Sequence, residues 1–347
     1  MLANLLPDGF IEAQATWALW LVTLGSLAVL TVAADRAVGA AVRLAAALGM
    51  SKVIIGATVV SLGTTTPELF VSLTAALRGE PELALGNAVG SITADTAFIF
   101  GLCCLITRLP HDRFVLRRQG VFKLFTVAAL TVPLVAMAFR RGSIEGVVLP
   151  RAAGFVYVGL LGVYLALSVR WARQHPEFVV PAVEVGNVRF HRARQALASL
   201  LILAVALGTV AVSSDVLIAS VSQLACRHGV PSDVLAVTLV AMGTSMPELV
   251  TALMAIRRGH PELLVGNIIG ADILNVLSVT GFSASASPLA VAPNFFVLHL
   301  PAMWASVLLF AAYIFTSRRT FSRWHGVPLL AVYAAYCALL IVTARWR

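Results

Sequence analysis

The stretch Val60-Ser-Leu-Gly-Thr-Thr-Thr-Pro-Glu-Leu-Phe70 returns 180 residues later as Val240-Ala-Met-Gly-Thr-Ser-Met-Pro-Glu-Leu-Val250. Each copy places one carboxylate, Glu68 or Glu248, directly after a proline and near the middle of a long apolar run. A plain apolar helix has no use for either residue. Proline lacks an N–H, so Pro67 leaves the Gly63 carbonyl without its helical partner and Pro247 does the same to Gly243. It also steers the preceding residue away from helical geometry. An ionisable group at the centre of a bilayer costs roughly 2.5–3.5 kcal/mol even on lenient insertion scales, so it persists where something binds it. Each copy therefore predicts a helix interrupted at mid-span, where backbone oxygen and a carboxylate are offered to a cation.

Outward from this pair, the same offset aligns Asp35 with Asp215, Gly49 with Gly229, and Gly86-Asn87 with Gly266-Asn267, with no gap from Asp35 to Gly101. The chain is thus internally duplicated. Its 347 residues are 59% hydrophobic and 12% charged, with a mean hydropathy of +0.92, more apolar surface than a soluble globule can hide. Ten apolar spans are expected, near 15–47, 51–77, 81–106, 119–139, 147–170, 195–228, 231–257, 261–286, 292–316 and 324–345. The fold class is an all-α membrane protein of ten transmembrane helices, arranged as two inverted five-helix repeats. Residues 1–170 form the first membrane repeat, 171–194 a polar, Pro-containing cytoplasmic linker, and 195–347 the second. An odd number of spans per repeat forces the second copy to enter from the opposite side. Most of the 25 Lys and Arg fall in the loops after odd-numbered spans, Lys123 being counted among them, which puts the linker in the cytoplasm and both termini outside. Asp8 and Glu12 replace the basic n-region of a signal peptide, so the first apolar segment reads as a retained helix. The basic pI is topology rather than a nucleic-acid surface, because no continuous basic face is present. Four cysteines lie in apolar segments without metal-site or disulfide spacing.

The span after each break supplies further oxygen. Thr64 stands four residues before Glu68 and Thr244 four before Glu248, so hydroxyl and carboxylate share a helix face; Thr65 and Ser245 add hydroxyls within the break. Ser91 and Asp95 are also four apart, and their counterparts are Ala271 and Asn275. Asp272, one residue on, points elsewhere on its helix. The cation set is Glu68, Glu248, Asp95, Asn275, Thr64, Thr244, Ser91, Thr65 and Ser245, with the carbonyls of Gly63 and Gly243. All its donors are oxygen, which suits the hard ions Ca²⁺ and Na⁺ and argues against Zn²⁺ or Cu. The other Pro-Glu-Leu strings, Pro81 to Leu83 and Pro261 to Leu263, follow Arg-Gly pairs and read as helix starts. Asp35 and Asp215 read as interfacial or structural. The histidines lie at span ends or in loops except His299, which falls inside the ninth span. No nucleophile with a base, His-rich cluster or phosphate loop appears, so no enzyme is expected.

At Gly63-Thr-Thr-Thr-Pro-Glu68 with Gly86-Asn-Ala-Val-Gly-Ser91, and Gly243-Thr-Ser-Met-Pro-Glu248 with Gly266-Asn-Ile-Ile-Gly-Ala271, the chain resembles the sodium/calcium exchanger family of the calcium:cation antiporter superfamily. The resemblance covers nearly the whole chain. It implies ten helices, four cation positions near the midplane, alternating access by sliding of the first and sixth helices, and commonly three sodium ions exchanged for one calcium ion. It makes Glu68 and Glu248 the bridging carboxylates, with Thr64 and Thr244 as partners. Transported Ca²⁺ and Na⁺ are then the substrates, with no cofactor, no nucleic acid and no obligate protein partner, in a multi-pass protein of the plasma (inner) membrane. The family usually has Ser where Thr65 and Ala271 stand, so one hydroxyl is kept and one lost. Family members often have two Asn, or Asn then Asp, at the positions of Asp95 and Asn275; here the acid is in the first repeat. Acidic residues there also occur in the potassium-dependent branch. The proton-coupled branch tends to carry an acid just after the Gly-Asn pair, where this chain has Val89-Gly90 and Ile269-Gly270. Proton- or potassium-coupled exchange is the alternative.

Overall fold

A computed structural model describes residues 14–48, 50–110, 113–174, 188–228, 244–317 and 320–345. Helix α1 spans Thr16–Leu48, about 50 Å at 1.5 Å per residue and so longer than the roughly 30 Å hydrocarbon core. The next run is broken into α2 (Lys52–Thr64) and α3 (Thr66–Leu77), bent by 45°. There follow α4 (Pro81–Ile106), α5 (Arg113–Arg141) and α6 (Arg151–Gln174). The second half holds α7 (Val188–Arg227), α8 (Met246–Arg257), α9 (Pro261–Ala286), α10 (Phe295–Thr316) and α11 (Gly326–Arg345). Among the described residues eight helices are long and apolar enough to cross a bilayer, and the bent pair makes a ninth. Of the span expected at 231–257, residues 231–243 lie outside the described residues and α8 is the remainder.

Helices α4 and α9 form the centre. In its most apolar window α9 is buried on every side and α4 over 78% of residues, against 22–44% in the other single-helix spans. Both helices carry polar side chains that lipid cannot satisfy, Asn87, Ser91 and Asp95 on α4 and Asn267, Asp272 and Asn275 on α9, so protein covers them. The surrounding helices turn Trp17, Phe155, Leu201 and Val297 outward, as lipid-facing side chains do. Helices α1 and α7 lie against each other along much of their length, and α8 packs on α1.

The first half touches the second through glycine. A Cβ on Gly266 would meet the backbone of Val53 inside van der Waals distance, one on Gly270 would meet Ala57 and Ser61, and one on Gly56 would meet Leu263 and Asn267. The backbones of α2 and α9 can cross this closely only because those side chains are missing. Gly270→Val is therefore expected to cost about 3 kcal/mol or more through overpacking against immovable backbone, read as a lower melting temperature or a collapsed yield of monodisperse protein.

The duplication reappears at the helix starts. Pro81 and Pro261 open α4 and α9 with Glu82 and Glu262 in the first turn, and the preceding Gly79 and Gly259 adopt φ of +78° and +72°, a region glycine enters without cost. Both expected helix starts are present. Each central helix also contains a π-helical turn, Ala94–Ile99 in α4 and Asn275–Thr280 in α9. Such turns insert one residue per helical turn and recur at functional positions.

Several expectations are corrected. Four short strands were not foreseen: β1 (Leu109–Pro110) pairs with β4 (Thr320–Phe321), and β2 (Val147–Leu149) with β3 (Leu289–Val291), all antiparallel. Residues 147–149, placed at the start of a helix by hydropathy, belong to this pairing. Residues 171–174 and 188–194 of the expected linker are helical, and 175–187 lie outside the described residues. Lys123, counted with the loop charges, is 1% exposed.

Charges at the helix ends tie the halves together. Asp35 accepts two hydrogen bonds from Arg258, each 2.6 Å, which gives it the structural role expected. Lys52 donates to Glu262 at 2.6 Å and contacts His260 Nδ1 at 3.0 Å. Partial burial, with Lys52 beside it, holds His260 below the usual histidine pKa, so the ring is neutral and its Nδ1 accepts from the ammonium.

Candidate functional site

Both predicted carboxylates sit in the first turn of a helix, and for Glu68 that helix is the restart of a broken one. Helix α3 begins at Thr66 with Pro67 and Glu68 in its first turn, and α8 begins at Met246 with Pro247 and Glu248 in the same places. Proline fits a first helical turn because its missing N–H would have no partner there. The positive end of the helix dipole then faces the acid. Between α2 and α3 the sequence thus breaks the helix and sets Glu68 beside the break.

Glu68, Glu248, Asp95 and Asn275 are each 1% exposed. Both carboxylate oxygens of Glu68 and of Asp95 are buried without a hydrogen-bond partner, as are Glu248 Oε2, Ser245 Oγ and Asn275 Oδ1. A buried polar atom left unpaired costs about 1–3 kcal/mol, more if charged. A fold does not collect so many in one place for packing. Glu68 repels Glu248 and Asp95, and Asp95 repels Glu248, at close enough range for each to feel the others. Only a cation among them turns that repulsion into binding.

The hydroxyls reach across the molecule, Thr64 Oγ1 also lying 3.4 Å from the Ser61 carbonyl of its own helix. Thr65 Oγ1 donates to Glu248 Oε1 at 3.4 Å, and Thr64 also faces Glu248. The expected pairing of Thr64 with Glu68 on one face gives way to pairing between halves, because the bend at Thr65 turns the last residues of α2 toward the second repeat. Thr64 donates to Asn267 Oδ1 at 3.3 Å, and the residue 180 positions on, Thr244, donates to Asn87 Oδ1 at 3.1 Å. Each threonine meets the asparagine of the opposite copy. Ser91 Oγ lies 3.4 Å from Thr244 Oγ1, and Ser245 faces Asp95 without closing a hydrogen bond. Gly63 lies on the last turn of α2 against Leu207 of α7. Gly243 lies outside the described residues.

Sequence reasoning missed four neighbours of the centre. Asn87 donates to the Glu68 carbonyl at 3.2 Å and to Ser72 Oγ at 2.9 Å, so its amide holds the restarted helix while its oxygen holds Thr244. Asn267 is its counterpart. The repeated Gly-Asn pair carried that signal. Asp272 does not point away from the assembly: it ion-pairs with Lys123 and lies within range of Asp95 and Glu248. Lys123 falls just inside the expected span 119–139, but counting it with the loop charges hides its burial.

Comparison with known proteins adds independent observations. The family described as "Sodium/calcium exchanger protein" matches residues 18–170 and 198–342. Inner membrane protein YrbG of Escherichia coli (strain K12) is 30% identical over 308 residues, covering 88% of this chain and 92% of that protein. Sodium/calcium exchanger MaX1 of Methanosarcina acetivorans is 27% identical over 349 residues, covering 92% of this chain and 98% of its own. Among solved structures, the sodium-calcium exchanger NCX_Mj superposes with a TM-score of 0.77 at 24% identity, over 93% of this chain and 99% of that one. That likeness concerns the fold.

Proposed function

The chain belongs to the sodium/calcium exchanger family, and from that premise we propose that it is a secondary antiporter that carries Ca²⁺ one way and Na⁺ the other by alternating access. It is a multi-pass integral membrane transporter, not an enzyme. The observation that carries the ion assignment is the set of bare carboxylate oxygens on Glu68, Asp95 and Glu248, drawn from both halves into one buried centre. Carboxylates, hydroxyls and amide oxygens are the ligands of hard cations. With three anions, the centre balances three monovalent ions, or a divalent ion with at most one monovalent ion, but not a divalent ion with the full monovalent set. Competition for one centre is what makes exchange obligatory.

The inverted ten-helix arrangement is supported by parity. An antiparallel pair joins loops on one side of the membrane, so an even number of crossings separates β1 from β4 and β2 from β3. Between β1 and β4 the full-length helices α5, α6, α7, α9 and α10 make five, so parity calls for one more crossing between Arg227 and Pro261, where the sequence leads one to expect the span 231–257. The same span completes the count of four between β2 and β3. We read the first and second repeats, 1–170 and 195–347, as entering from opposite sides, and the bias of Lys and Arg between loops as putting the linker in the cytoplasm and both termini outside. The relative named as an inner membrane protein supports the same membrane here. Helices α1 and α7, packed on each other and with Leu207 of α7 against Gly63 on the last turn before the break, are the pair whose sliding would expose the centre to alternate sides.

The test is ⁴⁵Ca²⁺ uptake into proteoliposomes loaded with Na⁺, K⁺ or acidic buffer. Outward Na⁺ is expected to drive uptake at least about tenfold above vesicles without a gradient, a difference of about 1.4 kcal/mol. Uptake driven by a pH gradient alone would move the protein to proton coupling, and a requirement for internal K⁺ beside Na⁺ would make it potassium-dependent. Ca²⁺ flux without any counter-ion would mean a channel.

A further inference from the structure

Beside Asp95 lies a buried cation that the exchange reading does not use. Lys123, on α5, is 1% exposed and its ammonium ion-pairs with Asp272 of α9. It donates to Thr96 Oγ1 at 2.7 Å and lies 4.1 Å from the centroid of the Phe310 ring. Thr96 in turn donates to Asp272 Oδ2 at 2.6 Å. A carboxylate, a hydroxyl and an aromatic face are the surroundings in which a desolvated monovalent cation is held. Thr96 adjoins Asp95, and the ammonium is near enough to attract Asp95 as well as Asp272. Asp272 keeps a second oxygen, Oδ1, buried without a hydrogen-bond partner, and repels both Asp95 and Glu248.

We propose that Lys123 is a tethered counter-cation: it cancels Asp272 and so keeps out of the centre the extra monovalent cation that a fourth bare carboxylate would draw in. The proposal rests on the antiport reading. Four buried carboxylates and one ammonium leave net three negative charges, the count that Glu68, Glu248 and Asp95 carry alone. Without the ammonium the count is four. Stripping one partner from a buried pair leaves an uncompensated charge, and in a cavity built to admit Na⁺ the nearest compensation is one more Na⁺. Lys123 acts through Asp272 and touches no transported ion, so it is a positioning residue that sets ion stoichiometry.

The experiment measures the number of Na⁺ moved per Ca²⁺ in proteoliposomes, from the Ca²⁺ gradient that a fixed Na⁺ gradient and membrane voltage sustain. Lys123→Ala is expected to raise the ratio by one, and methylammonium, sized to refill the vacated ammonium position, to return it to the wild-type value. Asp272→Asn leaves the ammonium unopposed and is expected to lower the ratio by one. Lys123→Met/Asp272→Asn removes both charges and is expected to restore the wild-type ratio. A residue that merely supports packing would not shift the ratio in opposite directions. Unchanged ratios in the single variants, or an altered ratio in the double variant, overturn the proposal. Should Lys123→Ala fail to fold, Asp272→Asn and the double variant decide by the same criteria. Absence of Na⁺-driven uptake in the wild-type protein would instead remove the antiport reading, and this proposal with it.

Discussion

Glu248→Gln is expected to lower Na⁺-driven Ca²⁺ uptake at least about 100-fold, and Glu68→Gln to do the same, each corresponding to about 2.8 kcal/mol or more of lost cation binding. Glutamine keeps the volume and one oxygen but removes the charge. Two unit charges 4 Å apart attract by about 4 kcal/mol at an effective dielectric of about 20, a scale that doubles for a divalent ion before desolvation offsets part of it. A loss of two decades is thus a modest expectation. The fold should survive, because no hydrogen bond to either Glu68 carboxylate oxygen, and only a long one to Glu248 Oε1, is present to be lost. Removing an uncompensated buried charge relieves a penalty. Thermal melting in chelator should therefore match or exceed that of the parent protein, and Ca²⁺ should no longer raise it. Uptake within tenfold of the parent in either variant would mean that the carboxylate is structural. Loss of folding in chelator would mean that the acid has a partner inside the protein.

Much of this centre was legible in the sequence because the chain states it twice. The offset of 180 picks out Glu68 with Glu248, and proline chemistry locates the break to within a residue: it points to Thr66, whereas the structure puts the 45° bend at Thr65 and Thr66 already opens α3. Hydropathy marked the apolar spans, because a bilayer leaves a backbone few alternatives to a helix. What stayed hidden depends on contacts between distant segments. Thr64 sits four residues from Glu68 yet serves Glu248, since helical spacing cannot say which way a broken helix turns. Lys123 counts as one loop charge in the sequence and is a buried ion pair in the fold, because its partner Asp272 is 149 positions away. The strand pairs are too short for periodicity to register. Asn87 and Asn267 lay inside the quoted motifs, but only the reciprocal bonds to Thr244 and Thr64 reveal their work.

Whether the centre reads total charge or the place of each charge can be decided at Asp95 and Asn275, which the duplication relates to each other. Asp95→Asn alone reduces the three bare acids to two and is expected to cut Ca²⁺-dependent uptake about 100-fold, again about 2.8 kcal/mol. Asn275→Asp alone adds a fourth acid and is expected to steepen the Na⁺ dependence, as anion crowding favours more bound cations. In the double variant Asp95→Asn/Asn275→Asp the acid moves to the second repeat while the net charge stays the same. Asn275 Oδ1 is buried and without a hydrogen-bond partner, as both Asp95 oxygens are, so an acid there would meet the same cavity. Uptake should therefore return to within about tenfold of the parent, a deficit of no more than about 1.4 kcal/mol. Full recovery is not expected, because the field of Lys123 falls on Asp95 and the moved acid would leave that favourable neighbour. A double variant as inactive as Asp95→Asn would show that the location of the acid matters beyond its charge. The departure of this chain from the more frequent arrangement would then be a specificity device, with Lys123 beside Asp95 as its counterpart.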